Sequence, residues 1–379
     1  MHKINLCGNS ECTQCFACQQ ACPKNCIRPV ETEAGFHIPQ IDRQACIECG
    51  ACMKVCHKLN GPELSKPQKA YVAWTTVEQD RRKSSSGGAF SVLARMVLDD
   101  GGVVYGATMD AELKVRHIPI EKVSDIPLLQ GSKYVQSDLG DTFVQIRENL
   151  KLNRKVLFTG TPCQVAALYA YLKSDSPLLL TCDVVCHGVP SQKAFDIYTD
   201  RNGLRKNTRE IVFRFTEGWG FRMRRKTGDG KFRVIMPRRA YYLRAFSKGL
   251  MFAEACYSCP YAREERGSDI TIADYWGIGT MAPFKHSVKG GLSMVLATTE
   301  KGIRAIEKAK NLYVEERPMQ EAVQGNHNLQ APSRRPKGRD SYYEESRQED
   351  LKNLERKYNL APSVRDYLRL VKQYIVKYL

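Results

Sequence analysis

The sequence predicts an α+β/α/β chain: a small cysteine-rich α+β module, then an α/β domain with an antiparallel β insert and a C-terminal helical tail. Three observations predict it. Ten of the fifteen cysteines fall within the first 56 residues, in a duplicated pattern. A polar stretch with Gly and Pro, His57 to Pro67, separates them from the remainder. From about Ala70 onward, short β-rich runs alternate with helical periodicity.

The cysteine-rich module carries Cys12-x-x-Cys15-x-x-Cys18-x-x-x-Cys22-Pro23, repeated as Cys46-x-x-Cys49-x-x-Cys52-x-x-x-Cys56. Three thiolates two residues apart can wrap three irons of one cubane, while the fourth, three further on, points toward the other site. The pattern is that of a dicluster bacterial-type ferredoxin fold holding two [4Fe–4S] clusters. Ligation is expected to cross over, with Cys12, Cys15, Cys18 and Cys56 on one cluster and Cys46, Cys49, Cys52 and Cys22 on the other. Zinc knuckles fit poorly, because zinc usually pairs two separated Cys-x-x-Cys arms. His57 stands where the second repeat would often carry proline. Cys26 reads as a small core residue beside the cluster, and Cys7, outside the repeat, as a buried or unpaired thiol.

In the second part, Val103–Tyr105, Lys155–Phe158, Leu178–Leu180, Ile270–Ile272 and Met294–Leu296 read as strands, and 89–99, 141–151, 163–173 and 300–310 as helices. Ile211–Phe213, Phe221–Met223 and Phe232–Val234, separated by Gly-containing turns, read as an antiparallel insert. Five cysteines lie here. Cys163 follows Thr161-Pro162, which places it in the first turn of a helix, where the thiolate form is favoured. Cys182, Cys186 and the pair Cys256-x-x-Cys259 complete the set. Spacing alone does not decide which four of five would act together, nor between a cluster and a structural zinc.

Composition narrows the function classes. With 379 residues, 42% hydrophobic and 26% charged, the chain can bury a normal core in two or three domains. No run approaches the roughly 18 apolar residues of a membrane span, and the first residues lack a signal-peptide core, so a cytoplasmic address is expected. In that compartment the cysteines read as metal ligands rather than disulfides. The net charge of +17 is concentrated between Arg201 and Leu250, which hold fifteen Lys and Arg against three acids. No zinc-finger, helix-turn-helix or RNP pattern accompanies it, so nucleic acid is not the expected partner. Arg222, Arg224, Lys226, Arg233 and Arg238 instead read as a positive strand surface for an acidic redox partner such as ferredoxin. From Val364 to Tyr378, apolar residues at helical spacing among basic ones read as an amphipathic helix. Packing on its own domain is favoured over contact with a membrane surface.

Several runs together resemble the coenzyme F-420 hydrogenase/dehydrogenase beta-subunit family: Ser85-Ser86-Gly87-Gly88, Gly131-Ser132-Lys133-Tyr134, Thr159 to Gln164, Cys186 to Pro190, Cys256-x-x-Cys259 and Asp274-Tyr275-Trp276-Gly277. The resemblance covers about residues 70–290. It implies FAD beside a third [4Fe–4S] cluster held by Cys163, Cys186, Cys256 and Cys259, with Cys182 a surplus core thiol. Read alone, Ser84 to Gly88 is a helix cap with a flexible lead-in. With the resemblance, Ser85, Ser86, Gly87 and Gly88 become contacts to an FAD phosphate at a helix N-terminus. Lys133 and Tyr134 become flavin contacts, and Lys133 and His187 candidates for catalytic roles. The implied organisation is a ferredoxin-type module over 1–60, a linker over 61–70, a flavin and iron–sulfur domain over 71–330 with a basic insert at about 201–250, and a basic helical tail over 331–379. The implied activity is an oxidoreductase passing electrons between a ferredoxin-type donor, three clusters, FAD and an unidentified two-electron acceptor, with a deazaflavin among the possibilities. The alternative is a non-catalytic electron-transfer subunit of a larger redox complex.

Overall fold

The computed structural model describes residues 4–214 and 222–368. In chain order the strands are β1 (Ile27–Glu31), β2 (His37–Ile41), β3 (Lys69–Thr75), β4 (Val103–Met109), β5 (Val115–Ile120), β6 (Val156–Gly160), β7 (Leu179–Val184), β8 (Thr208–Val212), β9 (Arg224–Thr227), β10 (Phe232–Val234), β11 (Ile270–Asp274), β12 (Ser293–Ala297) and β13 (Leu312–Glu316). A mixed eight-stranded sheet runs β13-β3-β12-β11-β7-β6-β4-β5. Its four central strands, β11, β7, β6 and β4, are parallel, and antiparallel strands close both edges.

The central strands are apolar runs because both faces are covered. Alternate residues divide between two cores. Val104, Leu157, Leu180, Cys182 and Ile270 meet Leu93 and Val97 of the helix Ala89–Asp99 and Ile303 and Ile306 of Glu300–Lys308. Val103, Tyr105, Val156, Phe158 and Leu179 meet Phe143 and Ile146 of Thr142–Lys151 and Val165 and Leu168 of Pro162–Leu172.

The N-terminal module packs on this second core rather than standing apart. Ala17 and Val55, from its two short helices' ends, are buried in it, and Gln20 Oε1 accepts from Phe143 N and Val144 N at 3.0 and 3.3 Å. Its own sheet is the β1–β2 hairpin. The polar stretch expected as a linker is tied down as well, since Ser65 and Arg266 exchange backbone hydrogen bonds of 2.9 and 2.8 Å.

The insert is a three-stranded antiparallel sheet, β10-β9-β8. Its middle strand begins at Arg224, one residue beyond the expected run; Phe221 lies outside the described residues, and Met223 is fully buried. The register divides the expected basic surface. Phe232 pairs with Lys226 and Val234 with Arg224, whereas Arg233 faces Arg225 on the other side of the ribbon. The guanidinium of Arg224 stacks 4.0 Å from the Phe232 ring centre, and Arg238 pairs with Glu355 at 3.4 Å.

The expected tail is in part core. Helices Arg339–Gln348 and Leu351–Lys357 bury Tyr342, Tyr343 and Leu354 against Tyr241, Tyr242 and Phe195. A tyrosine-rich helix reads as polar in sequence yet carries large apolar ring area. Residues 364–368 are helical, with Val364 and Leu368 exposed; the remainder of the expected amphipathic helix, 369–379, lies outside the described residues. Among the described residues no helix is long and apolar enough to cross a membrane.

Candidate functional site

The duplicated cysteine pattern is duplicated in the backbone. Gln14 and Glu48 occupy equivalent positions with φ of 59° and 55°, and Phe16 and Gly50 follow with 51° and 74°. These left-handed residues curl each Cys-x-x-Cys-x-x-Cys run into a bowl before its short helix starts. Gly50 adopts that conformation freely; Phe16 does so against steric resistance of about 1 kcal/mol. Two small cavities result. One is lined by Cys12, Cys15, Cys18 and Cys56, the other by Cys22, Cys46, Cys49 and Cys52. Each has a fifth thiol: Cys7 in the first, and Cys26 in the second, whose sulfur lies 3.4 Å from that of Cys22.

A third group forms where three loops meet. Cys163 is the second residue of the helix Pro162–Leu172, which Thr161 and Gln164 cap reciprocally. Cys186 follows β7, and Cys256 and Cys259 come from the turn at Glu254–Ser258. The thiols of Cys163, Cys256 and Cys259 are the electrostatic neighbours of Cys186. Cys182 has none of these among its neighbours and points into the core across the sheet. The expected thiolate character of Cys163 is not what the structure gives: burial first, then Cys259, pushes its pKa up to about 12, outweighing the Thr161 hydroxyl 3.1 Å away. Among the described residues no three His, Cys, Asp or Glu side chains close on one metal ion.

Beneath this third site the Cys256–Cys259 segment is braced by a buried ion pair. Arg266 lies 2.9 Å from Asp183, both side chains 1% exposed. It also donates to the carbonyls of Tyr261 and Val184 and to Thr271 Oγ1.

The third group opens into a cleft of about 320 Å³ lined by Cys163 and Cys186 themselves. The cleft lies beyond the carboxyl ends of the strands, where the loops after β3, β6, β7 and β11 converge. That is where open α/β sheets bind ligands, because loops diverge at a change of strand order. The loop after β3 contributes Ser85, Ser86 and Gly88. Gly87 is explained by packing: a Cβ there would lie 2.4 Å from the Ala73 carbonyl. Gly88, with φ of 88°, begins the helix Ala89–Asp99, which no side chain caps. Ser85 accepts from Ser132 N at 2.8 Å, and Ser86 donates to Leu292 O at 2.7 Å.

Lys133 and Tyr134 also line the cleft. The Lys133 ammonium donates to the Gln130 and Leu128 carbonyls at 2.8 and 3.3 Å. Burial lowers its pKa to about 7, so near neutrality it is a divided charge rather than the permanent cation expected. Tyr134 packs on Phe246 with ring centres 4.4 Å apart. His187 lines the same wall, its pKa lowered by burial.

Sequence reasoning missed four lining residues. Arg214 and Asp274 form an ion pair of 2.7 Å with side chains 6% and 8% exposed. His117 and Gln130 join them in the wall. Among the described residues, His117 Nδ1, Gln130 Oε1 and Asp274 Oδ1 are buried without a partner in the chain. Asp274 was within reach, inside the run Asp274-Tyr275-Trp276-Gly277; a single strand histidine and a loop glutamine carry no such signal.

Residues 11–59 match the 4Fe–4S dicluster domain family. Residues 153–322 match the family described as the C terminus of the coenzyme F420 hydrogenase/dehydrogenase beta subunit. The chain carries this beta-subunit domain behind a dicluster iron–sulfur domain. The matched beta-subunit segment includes all five later cysteines, whereas Ser85 to Gly88, Lys133 and Tyr134 precede it. A protein of Methanocaldococcus jannaschii described as uncharacterized is 25% identical over 208 residues, 47% of this chain. The match spans 57% of that relative's length. A chain from the F420-reducing [NiFe] hydrogenase complex of Methanosarcina barkeri, solved as a xenon derivative, aligns with a TM-score of 0.49 and 19% identity. The alignment covers 79% of this chain and 94% of that one, and likeness at this level says nothing of what this chain binds.

Proposed function

We propose that this chain is an iron–sulfur flavoprotein oxidoreductase that exchanges electrons between a ferredoxin-type donor and a two-electron acceptor. Cys12, Cys15, Cys18 and Cys56 would hold one [4Fe–4S] group, Cys22, Cys46, Cys49 and Cys52 a second, and Cys163, Cys186, Cys256 and Cys259 a third. Iron–sulfur groups supply one-electron transfer, and FAD in the cleft supplies conversion between single electrons and a hydride. The observation that carries this reading is that Cys163 and Cys186 belong to both the third thiol group and the cleft wall.

The chain's own residues fit an FAD-sized donor-bearing ligand. Two of the three orphaned atoms, Gln130 Oε1 and Asp274 Oδ1, are acceptors, and each calls for an N–H or O–H from the occupant. The uncapped N-terminus of Ala89–Asp99 presents backbone N–H groups to a phosphate. Tyr134 and Phe246 exclude water from one wall, and Lys133, poised near pH 7, can hold a proton or give it up there.

The acceptor is of the hydride-taking class, with a deazaflavin favoured by the family resemblance. The donor is an acidic one-electron carrier, favoured by the basic insert. Anaerobic purification with iron, zinc and flavin counts tests the reading. About twelve irons and one extractable FAD per chain are expected, four irons for each cubane. Iron near eight with zinc near one removes the third cluster. Full iron without flavin leaves the chain a relay subunit for a separate catalytic partner.

A further inference from the structure

His57 breaks the symmetry of the cysteine repeats, and the structure gives it a place between two of the three cysteine sites. Its ring is 3% exposed and uses both nitrogens: Nδ1 lies 2.7 Å from the Tyr261 hydroxyl and Nε2 2.7 Å from the Thr13 hydroxyl. Each partner sits in a cysteine loop. Thr13 lies between Cys12 and Cys15, His57 follows Cys56, and Tyr261 lies two residues beyond Cys259. The Tyr261 hydroxyl has thiols of both sites as electrostatic neighbours, Cys163 and Cys259 on one side and Cys15 and Cys56 on the other.

We propose that His57 and Tyr261 are positioning residues: with Thr13 they form a hydrogen-bonded chain that fixes the Cys12–Cys18 loop to the Cys256–Cys259 loop and holds the first and third cysteine sites at one separation. This rests on the reading that Cys163, Cys186, Cys256 and Cys259 bind a third cluster. It goes beyond that reading in naming which of the two N-terminal sites faces the third and what sets the gap. A proline at position 57 would supply neither hydrogen bond, so the departure from the repeat has a physical use here.

The contact is not what keeps the module attached. Gln20 on the helix Thr142–Lys151, the buried Ala17 and Val55, and the bond from Gln136 Nε2 to the Thr13 carbonyl at 3.1 Å all remain without it. Loss of one hydroxyl therefore leaves the fold and releases only the fine placement of the two loops. One-electron transfer depends steeply on that placement, and an iron count does not.

Tyr261→Phe, His57→Ala and His57→Gln, each in the full chain purified anaerobically, test this. Iron, zinc and flavin are counted first in the parent, since these report on the third site alone. The reduced proteins are then compared by electron paramagnetic resonance for the magnetic interaction between neighbouring centres, and by stopped flow for the rate at which reductant electrons reach the cleft flavin. Tyr261→Phe and His57→Ala should keep parental iron, change the interaction signal, and slow delivery about tenfold, the factor equivalent to one buried hydrogen bond. His57→Gln, which can still bridge both hydroxyls, should restore much of both. Parental spectra and rates in Tyr261→Phe and His57→Ala at full iron overturn the junction while leaving the third cluster intact. Iron near eight in the parent overturns the third cluster and the junction with it. If His57→Ala fails to fold, Tyr261→Phe, which keeps the ring, decides.

Discussion

Replacing Arg266 by Met should destabilise the protein by about 4 kcal/mol, because it leaves Asp183 as an uncompensated buried charge. The pair is 2.9 Å apart with both side chains 1% exposed, and removing one member of such a pair costs roughly 3–5 kcal/mol. The carbonyls of Tyr261 and Val184 lose a donor at the same time. With a urea m-value of about 3 kcal/mol/M, the unfolding midpoint falls by more than about 1 M. The loss also depends on pH. Burial already holds the Asp183 carboxyl above the usual carboxylate range, although Arg266 pulls it down. Without Arg266 the folded-state pKa rises further, so the native state takes up a proton more readily than the unfolded chain does. Stability is then recovered as pH falls through that raised value and is lowest on the alkaline side. The variant should lose less at about pH 6 than at about pH 8. Adding Asp183→Asn should restore a large part of the loss, since the unpaired charge is gone. Anaerobic urea titrations followed by tryptophan fluorescence, with iron counts beside them, measure both effects. An Arg266→Met midpoint within about 0.3 M of the parent at both pH values, equivalent to about 1 kcal/mol, would refute the reasoning.

Three further outcomes are expected. Cys163→Ser or Cys259→Ser should lower iron by about four per chain, while Cys182→Ser, Cys7→Ser and Cys26→Ser keep the parental count; iron analysis and electron paramagnetic resonance check both. Flavin reduction in the parent should inflect near pH 7, faster on the acid side where Lys133 carries its charge, and Lys133→Met should flatten that inflection in stopped-flow bleaching. Reversing Arg224 and Lys226, which share a face of the insert with Phe232, should slow reduction by an acidic carrier and weaken its dependence on salt. A salt-independent parental rate removes the insert from docking.

What was legible in the sequence follows from the range of the interactions involved. The cysteine repeats are local: spacing alone brings Cys22 to the Cys46 run and Cys56 to the Cys12 run, and the two cavities are lined in that crossed arrangement. The helix start at Pro162 was legible for the same reason, since Thr161 and Gln164 complete their cap within four residues. The missed features are long-range. Arg214 meets Asp274 across sixty positions, and Arg266 meets Asp183 across more than eighty. Composition also misled at the C-terminus, where charged helices conceal Tyr342, Tyr343 and Tyr358, all of which reach the core. The Lys133 charge failed differently, because its state depends on desolvation by a cleft that no sequence window contains.

The position of the cleft was nonetheless implicit in the order of strands and motifs. Ser85 to Gly88 come after β3, Thr161 to Cys163 after β6, Cys186 and His187 after β7, and Tyr275 to Gly277 after β11. Strands β4, β6, β7 and β11 run parallel, and β3 points the same way through the antiparallel β12 between it and β11. Every one of these loops must therefore emerge on one edge of the sheet. Parallel neighbours joined by helices leave their carboxyl-end loops on a common rim, whereas a meander would have scattered the same motifs to both ends. Convergence of Cys163 and Cys186 on one wall is thus a consequence of strand direction. Only the Cys256–Cys259 turn, which precedes β11, reaches the rim from the other side, and it is this segment that the Arg266–Asp183 pair braces.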